Sequence, residues 1–160
     1  MISSHLNALA MILHFIGITG IAGGFFGNIF IERQLWKQLK VAPYRAVTLL
    51  PVIRVFPTVI QLGSIVMLIS GLMLLSSLNW ELKSEVWFSV KMILYLFFNL
   101  NCLLVAKPTS EKLGELIPNL FETDPEVNTE LASLRRKMKW FHISELVIII
   151  GIYIVSVYKF

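Results

Sequence analysis

The apolar residues of this chain fall into four long runs, about 6–31, 51–77, 86–106 and 140–158, with short polar stretches between them. Each run reaches the ~20 residues that carry a helix across ~30 Å of hydrocarbon. None shows the strict alternation of a half-buried strand. The pattern predicts an all-α membrane protein: a four-transmembrane-helix bundle forming a single domain over residues 1–160. The first run lacks a basic leader, is too long for the apolar part of a signal peptide, and is followed by no small-residue cleavage site. It is therefore expected to stay as a span.

The connecting stretches refine this picture. Residues Glu32 to Lys40 form a polar, amphipathic stretch that Pro43 ends. Pro51 and Pro57 bracket Arg54 and predict a kinked or late-starting second helix. The loop 107–139 is the longest, and Pro108, Pro118 and Pro125 divide it. Asp124–Pro125 reads as a helix start, an acid at the cap and proline in the first turn. Val127, Leu131, Leu134 and Met138 then make one apolar stripe. Helix four should thus begin in the cytoplasm, run ~20 Å there and continue straight into the bilayer. The stripe needs a partner. Leu35, Trp36 and Leu39 are the nearest, and a second subunit is the alternative.

Composition agrees with the pattern. The chain is 56% hydrophobic with a mean hydropathy of +0.75, far from a soluble globule. Its net charge of +4 is no nucleic-acid footprint, because the basic residues flank the spans. Arg33, Lys37, Lys40, Arg45 and Arg54 follow the first run, against Glu32 alone. Arg135, Arg136, Lys137 and Lys139 precede the fourth. The positive-inside rule puts these two loops in the cytoplasm and both termini on the non-cytoplasmic side. Trp80 and Trp87 then mark the outer interface, Trp36 and Trp140 the inner one. The lone Cys102 falls inside the third span and reads as a small buried apolar residue. No CxxC, HExxH, P-loop or GxSxG motif is present.

Candidate chemistry lies in the few ionisable groups at membrane depth, where a charge costs about 2.5–3.5 kcal/mol on insertion scales. Only Lys91 and Glu145 lie well inside the runs, with His14 at similar depth. Helical rise places His14 and Lys91 in an outer layer, ~7–12 Å below the surface. Asn28, Gln61, Asn99, Asn101, His142, Ser144 and Glu145 form an inner layer to which all four spans contribute. Lys91 and Glu145 should stand ~13 Å apart in depth, too far for an ion pair. His14 and His142 are likewise too far apart to share one metal. His14 is either a hydrogen-bonding residue or a ligand. Lys91 either snorkels onto Trp87 or binds an anionic group such as a porphyrin propionate. Glu145 is too deep to snorkel; beside His142, Gln61 or Asn99 it has what proton transfer needs. His142, near the surface, reads as structural.

Span one also carries Gly17, Gly20, Gly23, Gly24 and Gly27, with GxxxG spacing at 20/24 and 23/27. Close helix packing is the first reading. A flat ligand against bare backbone is the second. Gly17 and Gly24 lie roughly 60–80° round the helix from His14, so a ring edge-on to span one would touch all three.

These residues resemble a known family. Leu13-His14, nine residues and then Gly24 is similar to the first helix of HemJ-type protoporphyrinogen oxidases, small four-helix membrane proteins related to CopD-like proteins. Arg54 and Pro57 followed by MLISGLMLL resemble its second helix. WFSVKMILYL, with Trp87 and Lys91 as W-x-x-x-K, resembles its third, and Arg135, Arg136, Glu145 and Lys159-Phe160 its fourth. Ile21 departs from the family's tryptophan, and GNIFIERQL lacks the histidine that the family has after helix one. The resemblance implies haem b held by His14 as the metal ligand, and oxidation of protoporphyrinogen IX with electrons passed to the membrane pool.

Three function classes follow. The first is a haem-binding membrane redox protein. In it His14, Gly17, Gly24 and Lys91 hold the tetrapyrrole, Lys91 and Glu145 serve catalysis, and a quinone is a further partner. The second is a non-catalytic subunit of a larger membrane complex, or a homo-oligomer. The third is a small proton-coupled transporter using the inner polar layer.

Overall fold

The computed structural model describes residues 2–77, 85–119 and 125–158. The described residues are helical nearly throughout and contain no strand. Helix α1 spans Ile2–Val41, α2 Pro43–Val47, α3 Leu50–Ser77 and α4 Val86–Asn101. A π turn at Cys102–Ala106 leads into α5, Lys107–Leu116, then a 3-10 turn at Ile117–Asn119, and α6 covers Pro125–Tyr158. Among the described residues four helical stretches are long and apolar enough to cross a membrane: His5–Val41, Tyr44–Ser77, Val86–Leu116 and Val127–Tyr158. The connection around Asn79 and Trp80, Asp124 and Lys159-Phe160 lie outside the described residues.

Three boundaries differ from the sequence reading. The stretch after span one is no separate element, because α1 runs unbroken to Val41. Pro57 sits inside α3 without ending it. Residues 107–116, expected in a loop, continue the third span as α5. Pro108 has no N–H and crowds the carbonyl four residues back. The wider π turn immediately before it relieves that crowding and lets the helix continue.

The bundle is two tight helix pairs, α1 with α3 and α4 with α6. Glycines bring the first pair together. A Cβ at Gly17 would stand 2.8 Å from the Gly63 carbonyl oxygen, and one at Gly63 would stand 2.9 Å from both the Gly17 oxygen and the Ile21 nitrogen. Gly24 faces Ile60, and Gly27 faces the Phe56 ring. Lipid tails give apolar helices no hydrophobic reason to associate, so backbone-close van der Waals contact of this kind holds them. Large apolar side chains cover the outside, among them Phe15, Phe26, Leu104 and Val147. That is the arrangement a hydrocarbon solvent favours.

Beyond the span of the hydrocarbon, α1 and α6 continue together. A 40-residue helix is ~60 Å long, about twice the apolar thickness. Leu35, Ala46, Leu50, Ile53, Leu113, Ile117, Leu131 and Leu134 form a buried cluster there, with Trp36, Leu39 and Val127 packed on it. The stripe on α6 thus finds its partner within the chain. A second cluster, Ile21, Phe25, Ile60, Phe98, Cys102, Ala106 and Phe141, fills the middle of the bundle.

Candidate functional site

The polar side chains of the membrane region line the seam between the two helix pairs. They group at three levels.

At the end remote from the basic residues, one cavity of about 180 Å³ is lined by His14 of α1, Met67, Gly71 and Leu75 of α3, Trp87, Lys91 and Tyr95 of α4 and Ile152 of α6. His14 and Lys91, 77 residues apart in the chain, therefore meet in one space, as their shared depth suggests. The imidazole is fixed by Ser70. Nδ1 lies 3.0 Å from its hydroxyl. That hydroxyl in turn reaches the Val66 carbonyl at 2.8 Å and the Met67 carbonyl at 3.0 Å. With its one proton on a helix carbonyl, Ser70 accepts from Nδ1–H. The tautomer so set leaves the lone pair on Nε2, the arrangement in which a ligating histidine is held. Gly71, one residue further, lies beside the ring, where a Cβ would stand 3.6 Å from its Cε1.

Gly17 and Gly24 do not border this cavity. Both face α3, Gly17 against Gly63 and Met67 and Gly24 against Ile60, so the structure does not bring them together with His14 and Lys91.

One level further along, Ser64 of α3 binds Tyr95 and Asn99 of α4. The two hydroxyls stand 2.6 Å apart, and the Ser64 Oγ donates to Asn99 Oδ1 at 2.6 Å. Asn99 is thus committed to Ser64 and not to Glu145. Gln61 is exposed.

The third level lies near the basic end. Glu145 is fully buried, 0% exposed. Asn101 Nδ2 donates to its Oε1 at 2.8 Å and to the Ser144 hydroxyl at 2.8 Å. His142 makes no bond to Glu145; its Nε2 is paired with Glu32 Oε2 of α1. Trp36 Nε1 donates to the other oxygen, Glu32 Oε1, at 2.9 Å. The Arg135 guanidinium lies over the Trp36 ring, 5.6 Å from its centre. Phe25 packs edge-on to His142, with ring centres 5.9 Å apart. His142 is thus half-buried and paired across the seam, more engaged than its position near the end of the span suggested.

Glu32 is the residue that sequence reasoning missed. It was counted among the charges of the first loop, yet it is only 6% exposed. The signal was the spacing Ile21, Phe25, Asn28, Glu32, Leu35. These five follow a 4-3-4-3 pattern, and all are buried. Ser70 and Ser64 were missed for a different reason. A serine in an apolar helix ordinarily bonds back to its own carbonyls, so its type alone does not mark a cross-helix contact. Among the described residues no group of three His, Cys, Asp or Glu side chains could hold a bare metal ion.

No curated protein and no solved structure matches this chain. Residues 8–160 match the model of the family described as predicted integral membrane protein (DUF2269), and the chain belongs to that family.

Proposed function

We propose that the protein is a membrane redox protein that binds a tetrapyrrole, of the haem b type, at the cavity remote from its basic end. The observation that carries the reading is the meeting of His14 and Lys91 in one apolar space lined by Trp87 and Tyr95. A single imidazole is a poor site for a free ion but a sufficient one for a metal whose other ligands come from a macrocycle. Ser70 holds that imidazole with Nε2 as the acceptor, and Lys91 is the cation to meet a propionate. Such a metal macrocycle supplies one-electron chemistry; the protein supplies position, charge and exclusion of water. The resemblance to HemJ-type proteins favours protoporphyrinogen as the substrate class.

The cavity's size favours one second occupant. At about 180 Å³ it is smaller than the ~300–1,000 Å³ of usual ligand pockets, which suits a quinone head with a carbonyl accepting from Lys91.

The test is an absorption spectrum of the detergent-purified protein, oxidised and then reduced with dithionite. The expected result is a Soret band, sharpened α bands on reduction, and loss of both in His14→Ala. A colourless, folded protein would sink the tetrapyrrole reading. Quinone recovered by solvent extraction of that colourless protein, and lost in Lys91→Met, would establish the second.

A further inference from the structure

At the basic end, buried polar groups face one another with hydrogen-bonding capacity unused. Asn28 is 1% exposed, yet neither its amide nitrogen nor its oxygen has a partner in the protein. Glu145 Oε2 and His142 Nδ1 are buried and equally unpartnered. Each such group costs about 1–3 kcal/mol if left bare, and four together exceed what one seam would tolerate dry.

Their placement is shared. Phe25, Asn28 and Glu32 lie on one face of α1, and His142 and Glu145 on one face of α6. The two faces meet at the Glu32–His142 pair and at the Phe25–His142 ring contact. Asn28 sits between Phe25 and Glu32, the two residues of α1 that meet His142. Asn101 holds Glu145 Oε1 from α4, which leaves Oε2 as the open atom. A buried water needs two to four polar partners, and these unpartnered atoms are of the kind that supply them.

We infer that this end of the seam is a hydrated proton-transfer site, in which water joins the Glu32–His142 pair to the Glu145 carboxyl. The pair is its entrance, since Trp36 and Arg135 link Glu32 to the basic surface. The imidazole has one nitrogen on Glu32 and the other buried, the disposition of a shuttle. A proton accepted by the pair leaves Nδ1 through water for Glu145 Oε2, and returns by the same route. Only O–H and N–H bonds form and break. Among the described residues, Cys102 of the π turn faces Glu145, and His142, three residues before it on α6, carries Glu32 of α1 as its partner. The buried apolar cluster that includes Phe25, Phe98 and Cys102 packs against this site. The inference stands whether or not the remote cavity binds a tetrapyrrole.

Infrared spectra of the full chain in liposomes, in H2O and D2O, test this. The expected result is a protonated-carboxyl C=O band that titrates reversibly, shifts within seconds of transfer to D2O, and is absent from Glu145→Gln. Glu145→Asp should move the band rather than remove it, which covers the case of a Gln variant that does not fold. Glu32→Gln and His142→Gln should slow deuterium exchange at least roughly tenfold. A band that persists unexchanged for hours means a sealed structural acid and overturns the proposal, as does a Glu145 that shows no such band at any pH. Exchange at the wild-type rate in both entrance variants overturns the assigned route.

Discussion

The contact between α1 and α3 and the seam between the two helix pairs solve one problem in opposite ways. Both must hold helices together in a solvent as apolar as their own surfaces. The α1–α3 contact does so by removing side chains, so that Gly17 and Gly63 bring backbone against backbone. The seam does so by adding polar groups: Glu32 with His142, and Ser64 with Tyr95 and Asn99. The first is dispersion at close range. The second is directional, and the cavity that holds His14 and Lys91 opens where all four spans meet. The difference explains why both candidate sites lie in the seam and neither lies beside the glycines.

The sharpest way to break the comparison is at the glycine contact. Gly63→Leu should prevent folding of the α1–α3 pair, because even a Cβ there meets backbone on α1 at 2.9 Å. Backbone atoms cannot move aside as a flexible side chain would. Loss of a cooperative melt in detergent checks it.

The seam should break by a different rule. Glu32→Ala leaves His142 without its carboxylate at a site where both side chains are largely buried. It should cost about 3–5 kcal/mol, whereas the double change Glu32→Leu with His142→Phe should recover most of the loss. Denaturant titration of the two variants checks this. A double variant as unstable as the single would mean that the seam depends on its charge pair and not on filled volume.

Ser64→Ala removes the bonds to Tyr95 and Asn99 and should cost about 0.6–1.7 kcal/mol, the range for interhelical hydrogen bonds in membranes. The smallest effect is expected at Gly23, where a Cβ meets nothing within 4 Å. Gly23→Ala should leave the melt unchanged or raise it slightly, which would separate the glycines that pack from the one that does not.

Much of this architecture is legible in the sequence, because apolar length decides a membrane span more directly than any local propensity. The four spans, the start of α6 at Pro125 and the stripe of Val127, Leu131 and Leu134 against Leu35 and Leu39 follow from spacing alone. The shared level of His14 and Lys91 follows from depth, and their meeting in one cavity from the placement of the helices. Glu32 was hidden because charge near a span end ordinarily marks the interface, and only its place in a core-facing stripe contradicts that. The partners of Glu145 were hidden because helical depth gives level but not azimuth. Gln61, Asn99 and Asn101 were equal candidates until the helices were placed round the bundle. Helix continuation through Pro108 was hidden because a proline stops an α helix, and the π turn that accommodates it has no residue signature.

A π turn holds about one residue more than the α turn it replaces, and the five residues Cys102–Ala106 set the phase of everything after them. Phe98, Cys102, Ala106, Ser110 and Gly114 are all buried at steps of four, a spacing that would walk off the face of an ideal α helix. One residue fewer there would turn α5 by roughly 100°, carrying Gly114 away from Arg54 and Leu113 out of the buried cluster. The third span is thus a single rod with two faces set at different angles, its upper half aligned to the seam and its lower half to the cap. The length of that one turn is as fixed a part of the fold as any side chain in it.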